Sequence, residues 1–547
     1  MILGIHDGHN SSASLITDNT IKYSLSEERF TRKKNQRGFP NNSIEYILNE
    51  LNIKDNENNK EKENINIITV GGLFRRGNRL KYLKTFQKEM NIPMLYFNHH
   101  LCHASLYSLS DFKECLVITM DGGGDGLSST VSIGNKKGLE IIAQSDTIDS
   151  LGDFYASITE VLGFKPMEDE GKVMSLSSYE CGGEVDIDIK VIDYDSNIKS
   201  FKNYLGVIGY ESTKALRNIF HLCNIGLNSM DFRTKVLISK YAQKTLENTV
   251  LKMIEDFSNE TGIDKIVFSG GVAQNVLLNK KIGERYDLYV PPFMGDEGLS
   301  VGSALLIREK GNKNKINDEI NNKTSNNIKN KTKNKKINLK NTYLGYKILN
   351  KNVETLIENN LLKNYKVNFI EDRDIPEIIG NYLINNGIVC LCRGRMEFGP
   401  RALGNRSIIA LPSKENKERI NKYLKRNSFM PFAPTILYEY MEDYLINPKY
   451  NPFMTTLFDV KKNNIERIRG VVHVDNTTRA QILKREFNSL YYDIINYLYD
   501  SIDLPVVLNT SFNLHGEPIV CNELDGVRSF KFIGDALLLG NWLIEKI

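Results

Sequence analysis

The sequence predicts an α/β protein with a duplicated first half and a separate α/β second half. Residues 2–28 and 115–142 share one plan: an apolar strand, a polar or glycine-rich turn, a second strand, a short turn and a third strand. A repeat of this kind after ~110 residues indicates an internal duplication. After about residue 345 the character changes, because arginine-rich and glycine-rich stretches alternate with apolar strands. A chain of 547 residues is also too long for one hydrophobic core.

The composition excludes several classes of protein. Hydrophobic residues at 41% and charged residues at 25% are ordinary values for a globular chain. No apolar run reaches the ~18 residues that span a bilayer, and the N-terminus becomes polar too early for a signal peptide. Seven cysteines, an odd and scattered number, form no disulfide framework. We therefore expect a cytoplasmic protein that is not embedded in a membrane.

One segment accounts for the positive net charge. The formal charge is +4, but residues 308–341 hold eleven Lys and Arg against three Asp and Glu, a net of +8, which leaves −4 elsewhere. Eleven Asn and few large apolar side chains mean that burial cannot offset the entropy of ordering this segment. It has no aromatic side chains on which bases stack, which disfavours nucleic acid as a partner. We expect a linker at 311–344 between domains at 1–310 and 345–547.

The two hairpins resemble those of the sugar-kinase, actin and heat-shock chaperone ATPase superfamily, in which such hairpins face the phosphates of a nucleotide. On this resemblance the first domain is actin-like, and Gly123 and Gly124 lie near the nucleotide. The third superfamily element matches a strand that runs through Gly270 and Gly271 into a helix near Asn275. Glycines allow the backbone to approach a ligand, and a helix N-terminus favours negative charge.

Two histidines and two aspartates predict a metal site in the first domain. Asn98 is a good helix N-cap, so His99 and His103, four residues apart, project from one face of a helix. Asp121 ends an apolar strand, and Asp296 lies in a glycine-flanked turn before another helix. Two nitrogens and two carboxylate oxygens suit iron(II), manganese or zinc.

Alternatives remain open for this site. Asp125 can replace Asp121 or bind the magnesium ion of a nucleotide, and His100 can pair with His103 at a spacing of three. Helical histidines are often polar surface residues, and Asp-Gly at the end of a strand is often only a hairpin turn. Five of the eight histidines lie within the first 103 residues, which favours a functional site.

An arginine-rich stretch in the second half predicts a pocket for an anion. Arg393, Arg395, Arg401 and Arg406 fall within fourteen residues that also contain glycines. Arginine side chains match the geometry of phosphate oxygens, and the interleaved apolar strands favour a lined pocket over an exposed basic face. Later segments are expected to supply the same pocket with Arg426, Arg479, Asn509, Ser511 and Asn513.

Five motifs in one order are more specific than any of them alone: His99-His-Leu-Cys-His-Ala, Glu170-Gly-Lys-Val-Met, Ser269-Gly-Gly-Val-Ala-Gln-Asn, Glu397-Phe-Gly-Pro-Arg-Ala-Leu-Gly and Asn509-Thr-Ser-Phe-Asn. The combination resembles the O-carbamoyltransferases of the NodU/CmcH type, which decorate nodulation factors, cephamycins and aminoglycosides. In that family a domain similar to the tRNA threonylcarbamoyladenosine transferase precedes a YrdC-like domain. The resemblance covers nearly the whole chain except the linker and parts of 183–260.

This resemblance implies an activity and its ligands. Carbamoyl phosphate and ATP with magnesium would be the substrates, carbamoyladenylate the intermediate and a hydroxyl of a small molecule the acceptor. The implied metal is iron(II) or another divalent ion, and the family's metal motif maps onto His99, His103, Asp121 and Asp296. Its first-hairpin histidine maps onto His9 and its basic segment onto Lys34. His9 or His100 is expected to handle a proton, while Asp121 and Lys172, in a predicted loop, are expected near the nucleotide.

Two rival functions remain. One is the tRNA-modifying transferase itself, against which stand the fused arginine-rich domain and the lack of a basic surface outside the linker. The other is a non-catalytic ATP-binding partner that shares only the fold, against which the predicted metal site speaks. The acceptor pocket is expected in 183–260, where motifs are sparse. The sequence also allows a homodimer.

Overall fold

The computed structural model describes residues 1–58, 64–75, 77–180, 187, 189–223, 225, 230–310 and 336–547. Most of the predicted linker, 311–335, lies outside the described residues, so the proposed domain boundaries stay a prediction. Residues 336–342 form neither helix nor strand, and Ile337 packs in one apolar cluster with Ile16 and Leu344.

Two five-stranded sheets in the first 310 residues repeat one topology. The first contains β1 Ile2–His6, β2 Ser12–Ile16, β3 Ile21–Ser26, β4 Ile67–Gly71 and β5 Met94–Phe97. The second contains β6 Glu114–Gly124, β7 Leu127–Asn135, β8 Gly138–Asp146, β11 Lys265–Ser269 and β12 Asp287–Tyr289, while β9 Ile192–Asp195 and β10 Ser200–Asn203 form a separate hairpin.

The strand orders are β3-β2-β1-β4-β5 and β8-β7-β6-β11-β12, and corresponding strands run in the same relative directions. In each sheet the first three strands are antiparallel, the fourth strand pairs in parallel with the first, and the fifth pairs in parallel with the fourth. The duplication predicted from the two hairpins is therefore confirmed.

Ten helices surround these sheets in the described part of the first 310 residues. They are α1 Glu27–Thr31, α2 Asn41–Asn58, α3 Arg79–Met90, α4 His99–Ser105, α5 Leu151–Val161, α6 Glu170–Ser177, α7 Tyr210–Leu222, α8 Phe232–Thr261, α9 Val276–Gly283 and α10 Leu299–Lys310. Lys172 lies in the first turn of α6, so its assignment to a loop is wrong.

Helices α4 and α10 cross closely, and this crossing positions the site described below. At Gly302 an added Cβ would overlap the carbonyl oxygen of Cys102, and Ser105 donates a 2.8 Å hydrogen bond to the carbonyl oxygen of Gly302. Ser300 fixes α10 on the first sheet through hydroxyl contacts with Ser12 and Ser14. Only a residue without a side chain permits this approach of two helix backbones.

A third sheet occupies the second half of the chain. Its order is β14-β24-β23-β15-β17-β22-β18-β21, with β14 Tyr365–Phe369, β15 Val389–Cys392, β17 Arg406–Ala410, β18 Ala433–Leu437, β21 Gln481–Leu483, β22 Val506–Ser511, β23 Ala536–Leu539 and β24 Trp542–Lys546. Outside it, β13 Tyr343–Lys347 pairs with β16 Arg395–Glu397, and β19 Phe458–Asp459 with β20 Thr477–Thr478.

Helices cover both faces of this sheet. Alternate residues of its strands point to opposite faces and belong to two different apolar clusters, each of which also contains helix residues. The helices are α11 Asn350–Glu358, α12 Ile375–Ile384, α13 Lys414–Leu424, α14 Met441–Tyr444, α15 Ser489–Ile502 and α16 Glu523–Phe530. The predicted fold class, a duplicated α/β unit followed by a second α/β unit, is confirmed. Among the described helices, none is both long enough and apolar enough to span a bilayer.

Candidate functional site

Four side chains meet where α4 and α10 cross between the first two sheets. The Nε2 atoms of His99 and His103 lie 3.5 and 3.3 Å from Oδ2 of Asp121, and 3.6 and 3.4 Å from Oδ1 of Asp296. The four ligand atoms all lie within 4.8 Å of one another. We call these four residues the histidine–aspartate cluster.

Local structure explains each position. The side chain of Asn98 accepts hydrogen bonds from the backbone N–H groups of His100 and Leu101, so α4 begins at His99 as predicted. Asp121 lies where β6 becomes irregular, and its Oδ2 accepts a 3.2 Å hydrogen bond from the N–H of Gly271. Asp296 begins the short 3₁₀ helix Asp296–Gly298, which leads directly into α10.

Glycines predicted to approach a nucleotide also make room for this cluster. An added Cβ at Gly124 would overlap the ring of His99, and one at Gly271 would lie 3.1 Å from Oδ1 of Asp121. Gly270 has φ 97°, and its added Cβ would overlap the carbonyl oxygen of Met120 at the end of β6.

The electrostatics of the cluster favour a cation. Burial alone would lower the pKa of His103, but the carboxylates of Asp121 and Asp296 outweigh it and raise the pKa to about 9. Burial would likewise raise the pKa of Asp121, yet His103 and His99 hold it well below its usual range. Nε2 of both histidines and Oδ1 of Asp296 are buried without a properly oriented hydrogen-bond partner among the described residues.

The separations in the cluster also fit a metal ion. Ligand bonds of ~2.1 Å in a tetrahedral arrangement place neighbouring ligand atoms ~3.4 Å apart. The four nitrogen–oxygen separations of 3.3–3.6 Å match this value. The residues present therefore form a possible site for a divalent ion.

Three arginines of the second half lie close together and partly buried, and we call Arg401, Arg426 and Arg479 the arginine cluster. Burial lowers the pKa of Arg401 to about 10, and burial together with Arg401 does the same for Arg426. Burial, Arg401 and Arg426 hold the pKa of Arg479 well below its usual value. Nε of Arg401 and of Arg479 are buried without a hydrogen-bond partner among the described residues. Such an excess of buried positive charge is suited to an anion.

Both clusters lie within the parts of the chain that carbamoyltransferase family models match. A model of the carbamoyltransferase N-terminus matches residues 63–305, and a model of the carbamoyltransferase C-terminus matches residues 380–546. Nodulation protein NolO of Bradyrhizobium diazoefficiens is 32% identical over 470 residues, which cover 82% of this chain and 79% of that protein. The chain belongs to the carbamoyltransferase family. It is accordingly an enzyme, which excludes the non-catalytic alternative.

Other relatives extend over the same length. An uncharacterised protein of Methanocaldococcus jannaschii is 60% identical over all of both chains, and nodulation protein NolNO of Sinorhizobium fredii is 29% identical over 98% of this chain and 79% of its own. Among solved structures, T. kodakarensis HypF gives a TM-score of 0.35 at 16% identity, over 56% of this chain and 47% of its own. A likeness of that size has no bearing on the function of this carbamoyltransferase.

The alternatives Asp125 and His100 lie outside the histidine–aspartate cluster. The carboxylate of Asp125 accepts hydrogen bonds from the backbone N–H groups of Leu73, Phe74 and His99. His100 is fully buried, with Nδ1 2.8 Å from the hydroxyl of Thr119 and Nε2 3.1 Å from the carbonyl oxygen of Leu127. Burial, with His99 and His103, lowers the pKa of His100 to about 3. The structure therefore holds His100 against the second sheet rather than at the cluster.

The first hairpin supplies a histidine that the sequence analysis did not select. Nε2 of His6 lies 4.0 Å from Oδ2 of Asp296 and 3.0 Å from the carbonyl oxygen of His9. Burial lowers the pKa of His6 to about 4. The predicted His9 is half-buried in the adjoining turn, and the predicted Lys34 is exposed. The two closely spaced histidines in one turn were the available signal for His6.

The remaining residues predicted at the nucleotide have contacts of their own. Asn275 caps α9 and exchanges hydrogen bonds with Gln243, and Lys172 lies 2.9 Å from Oδ1 of Asp169. Gly123 is exposed near the end of β6, just before the turn of the second hairpin. Their role towards a nucleotide stays a prediction.

Two of the predicted arginines have structural contacts and do not join the arginine cluster. Arg406 is fully buried and donates hydrogen bonds to backbone carbonyl oxygens, including that of Cys521 at 3.1 Å and that of Arg393 at 2.7 Å. Arg395 donates to the carbonyl oxygen of Lys22 at 2.8 Å and lies over the ring of Tyr23. These partners already satisfy both guanidinium groups.

The three residues predicted from the motif at 509–513 lie in different environments. Asn509 is buried and donates to the carbonyl oxygen of Ala402, next to Arg401, at 3.3 Å. Ser511 is partly buried at the end of β22, and Asn513 donates to the carbonyl oxygens of Leu514 and Glu517. 

Lys417 of α13 was missed by the sequence analysis. Burial, then Arg469 and Arg426, lower its pKa, so this lysine adds positive charge beside the arginine cluster. The sequence offered only a basic helix, which is usually a solvated surface.

Proposed function

We propose that this carbamoyltransferase uses ATP to move a carbamoyl group from carbamoyl phosphate, through carbamoyladenylate, to a hydroxyl of a small molecule such as a sugar or natural product. Membership of the family supports carbamoyl transfer, and the ligands are our proposal. The observation that carries it is the presence, in one chain, of two partly buried sites of opposite character. The histidine–aspartate cluster suits a divalent cation, and the arginine cluster suits a phosphate.

In the first half-reaction the arginine cluster binds carbamoyl phosphate. Water and carbamoyl phosphate give carbamate and phosphate, and a carbamate oxygen then attacks the α-phosphorus of ATP, so that pyrophosphate leaves with the electron pair of the broken P–O bond. Arg401, Arg426 and Arg479 bind the phosphate oxygens, and Lys417 adds positive charge beside them. Adenylation makes the reluctant carbamoyl group reactive because AMP is a good leaving group.

In the second half-reaction the acceptor hydroxyl attacks the carbamoyl carbon beside the histidine–aspartate cluster. His99, His103, Asp121 and Asp296 would hold iron(II) or another divalent ion, which polarises a carbonyl oxygen or lowers the pKa of a bound hydroxyl. His9, whose backbone carbonyl oxygen contacts His6 beside the cluster, is our candidate for proton transfer, as the family resemblance implies. Gly123, Gly270 and Gly271 are candidates to face the adenylate phosphate with magnesium in support.

The test incubates the purified protein with carbamoyl phosphate labelled in its carbamoyl carbon, ATP and a cell's metabolite pool. We expect label in a small molecule, together with ATP-dependent release of phosphate and pyrophosphate. Omission of ATP, and replacement of ATP by ADP, are the controls. Transfer that proceeds equally well without ATP would contradict the adenylate route. Label in tRNA, lost steeply as salt rises, would instead support the tRNA-modifying alternative.

A further inference from the structure

One loop of the second half lies directly on the first half. Arg29 donates a 3.1 Å hydrogen bond to the carbonyl oxygen of Gly399, and the rings of Phe293 and Phe398 pack with centroids 5.3 Å apart. Gly399 has φ 115°, and an added Cβ would lie 2.6 Å from a backbone oxygen of the facing segment. The loop 398–401 is thus fixed against the first half by backbone contact as well as by side chains.

This contact places Arg401 beside the segment that leads to Asp296, one of the four residues of the histidine–aspartate cluster. The facing segment continues from Phe293 into Asp296 and Glu297, while Arg401 follows Gly399 by two residues. Oε1 of Glu297 and Nε of Arg401 are both buried without a hydrogen-bond partner among the described residues. The charge of Glu297 also opposes the lowering of the pKa of Arg401 by burial, which is consistent with their proximity.

The other two members of the arginine cluster differ from Arg401. Arg426 donates a 3.3 Å hydrogen bond to the carbonyl oxygen of Pro431 and lies over the ring of Phe432. The positive charges of Arg401 and Arg426 help to lower the pKa of Arg479. Only Arg401 of the three has Glu297, the neighbour of a cluster aspartate, among the charges that act on it.

Resting on the proposed function, we propose that Arg401 binds a phosphate group in both half-reactions. With Arg426 and Arg479 it binds carbamoyl phosphate, and it then holds the phosphate of carbamoyladenylate beside the histidine–aspartate cluster during transfer. Arg426 and Arg479 act only in the first half-reaction. A guanidinium group is planar and carries several N–H donors, so it can donate hydrogen bonds to phosphate oxygens on two different sides.

Negative charge develops on the phosphate of carbamoyladenylate during carbamoyl transfer, so a bound Arg401 would accelerate this step. A bond forms between the acceptor oxygen and the carbamoyl carbon, and the bond from that carbon to the phosphate oxygen breaks. The electron pair leaves with AMP, whose phosphate gains a negative charge, and the hydroxyl proton passes to a base, for which His9 is the candidate. A cation fixed at that phosphate stabilises the transition state more than the ground state, because the charge on the phosphate increases during the step.

The experiment compares Arg401→Gln with Arg479→Gln in two assays. The first measures pyrophosphate release from ATP that depends on carbamoyl phosphate. The second supplies carbamoyladenylate directly and measures AMP release. We expect both variants to slow the first reaction by about 10²-fold or more, and only Arg401→Gln to slow the second by a similar factor. Arg401→Lys should recover part of the second activity because it restores the charge, which a purely structural loss would not allow.

The outcomes separate this inference from the proposed function. If the wild type catalyses neither reaction, the proposed function fails. If the wild type catalyses both and Arg401→Gln releases AMP from added carbamoyladenylate as fast as Arg479→Gln does, the double role of Arg401 is wrong. Equal loss of AMP release in both variants, with unchanged unfolding temperatures, would also contradict the distinction between Arg401 and Arg479.

Discussion

The histidine–aspartate cluster and the arginine cluster differ in how their charge is compensated. In the first, a proton on His103 can compensate Asp121 and Asp296, which is why the pKa of that histidine rises to about 9. In the second, three guanidinium groups cannot lose their protons at neutral pH, and the charges of Arg401 and Arg426 lower the pKa of Arg479. The first site can therefore exist in a neutralised, metal-free form, whereas the second keeps its charge until an anion arrives.

Because of this difference, a divalent ion and an anion should bind with different dependence on pH. A divalent ion has to displace a proton at the histidine–aspartate cluster, so its affinity depends on pH. An anion at the arginine cluster displaces nothing and relieves repulsion directly, so its binding stabilises the fold. Four experiments can break or sharpen this comparison, and they are ordered from the largest expected effect to the smallest.

Replacement of His103 by alanine should have the largest effect. We expect His103→Ala to lose the metal and to reduce carbamoyl transfer by a factor on the order of 10³, because one ligand and its charge are lost. Pyrophosphate release that depends on carbamoyl phosphate should remain. The measurements are elemental analysis of protein prepared without a polyhistidine tag under reducing, oxygen-poor conditions, and both half-reaction assays.

His221→Ala is the matched control, because His221 is exposed at the end of α7. It should keep both metal and activity. A wild type that is fully active without metal would exclude a metal at the histidine–aspartate cluster.

Replacement of Arg406 tests whether this arginine is structural. Arg406→Gln should lower the free energy of unfolding by about 3 kcal/mol or more, because several buried carbonyl oxygens lose their donors. Arg479→Gln, which removes a buried arginine from a repulsive cluster, should change it by less than about 1 kcal/mol. Urea denaturation of both variants measures the difference. Equal stability losses would show that Arg406 and Arg479 do not differ in the way their contacts indicate.

The metal-free protein should lose stability as pH rises. The pKa of His103 is about 9 in the folded chain and near its ordinary value of 6.5 when unfolded. Protonated His103 therefore stabilises the fold fully below pH 6.5, and this contribution, roughly 3 kcal/mol, disappears as pH rises through 9. Denaturation of chelator-treated protein across this range measures it. Metal-loaded protein should instead gain stability with pH, since protons compete with the ion; a flat profile for the metal-free protein would contradict the protonation of His103.

Inorganic phosphate should produce the smallest effect. At ten times its dissociation constant, phosphate bound at the arginine cluster should stabilise the wild type by about 1.4 kcal/mol. The effect should be absent in Arg479→Gln and in wild type with sodium chloride at equal ionic strength. Thermal unfolding measures all three samples. The same stabilisation in wild type and variant would mean that phosphate binds elsewhere.

The sequence alone determined the plan of the fold and the types of residue at its sites. Apolar strands with polar or glycine-rich turns predicted the duplicated hairpins, and the Asn98 cap predicted the helix that carries His99 and His103. Both signals are local, because strand periodicity and helix capping depend on neighbours a few residues apart. Asp296 was also selected from its local turn, although it lies 175 residues beyond Asp121.

Only the tertiary structure decided between residues of equal chemistry. Asp121 and Asp125 are acids of one glycine-rich segment, but backbone N–H groups bind Asp125, whereas the packing of α4 against β6 brings Asp121 to the histidines. Arg401 and Arg406 are only five residues apart. Packing buries Arg406 against backbone carbonyl oxygens, whereas Nε of Arg401 has no hydrogen-bond partner in the described part of the chain. Which partners a buried polar group finds depends on segments hundreds of residues away, and local periodicity carries no information about them.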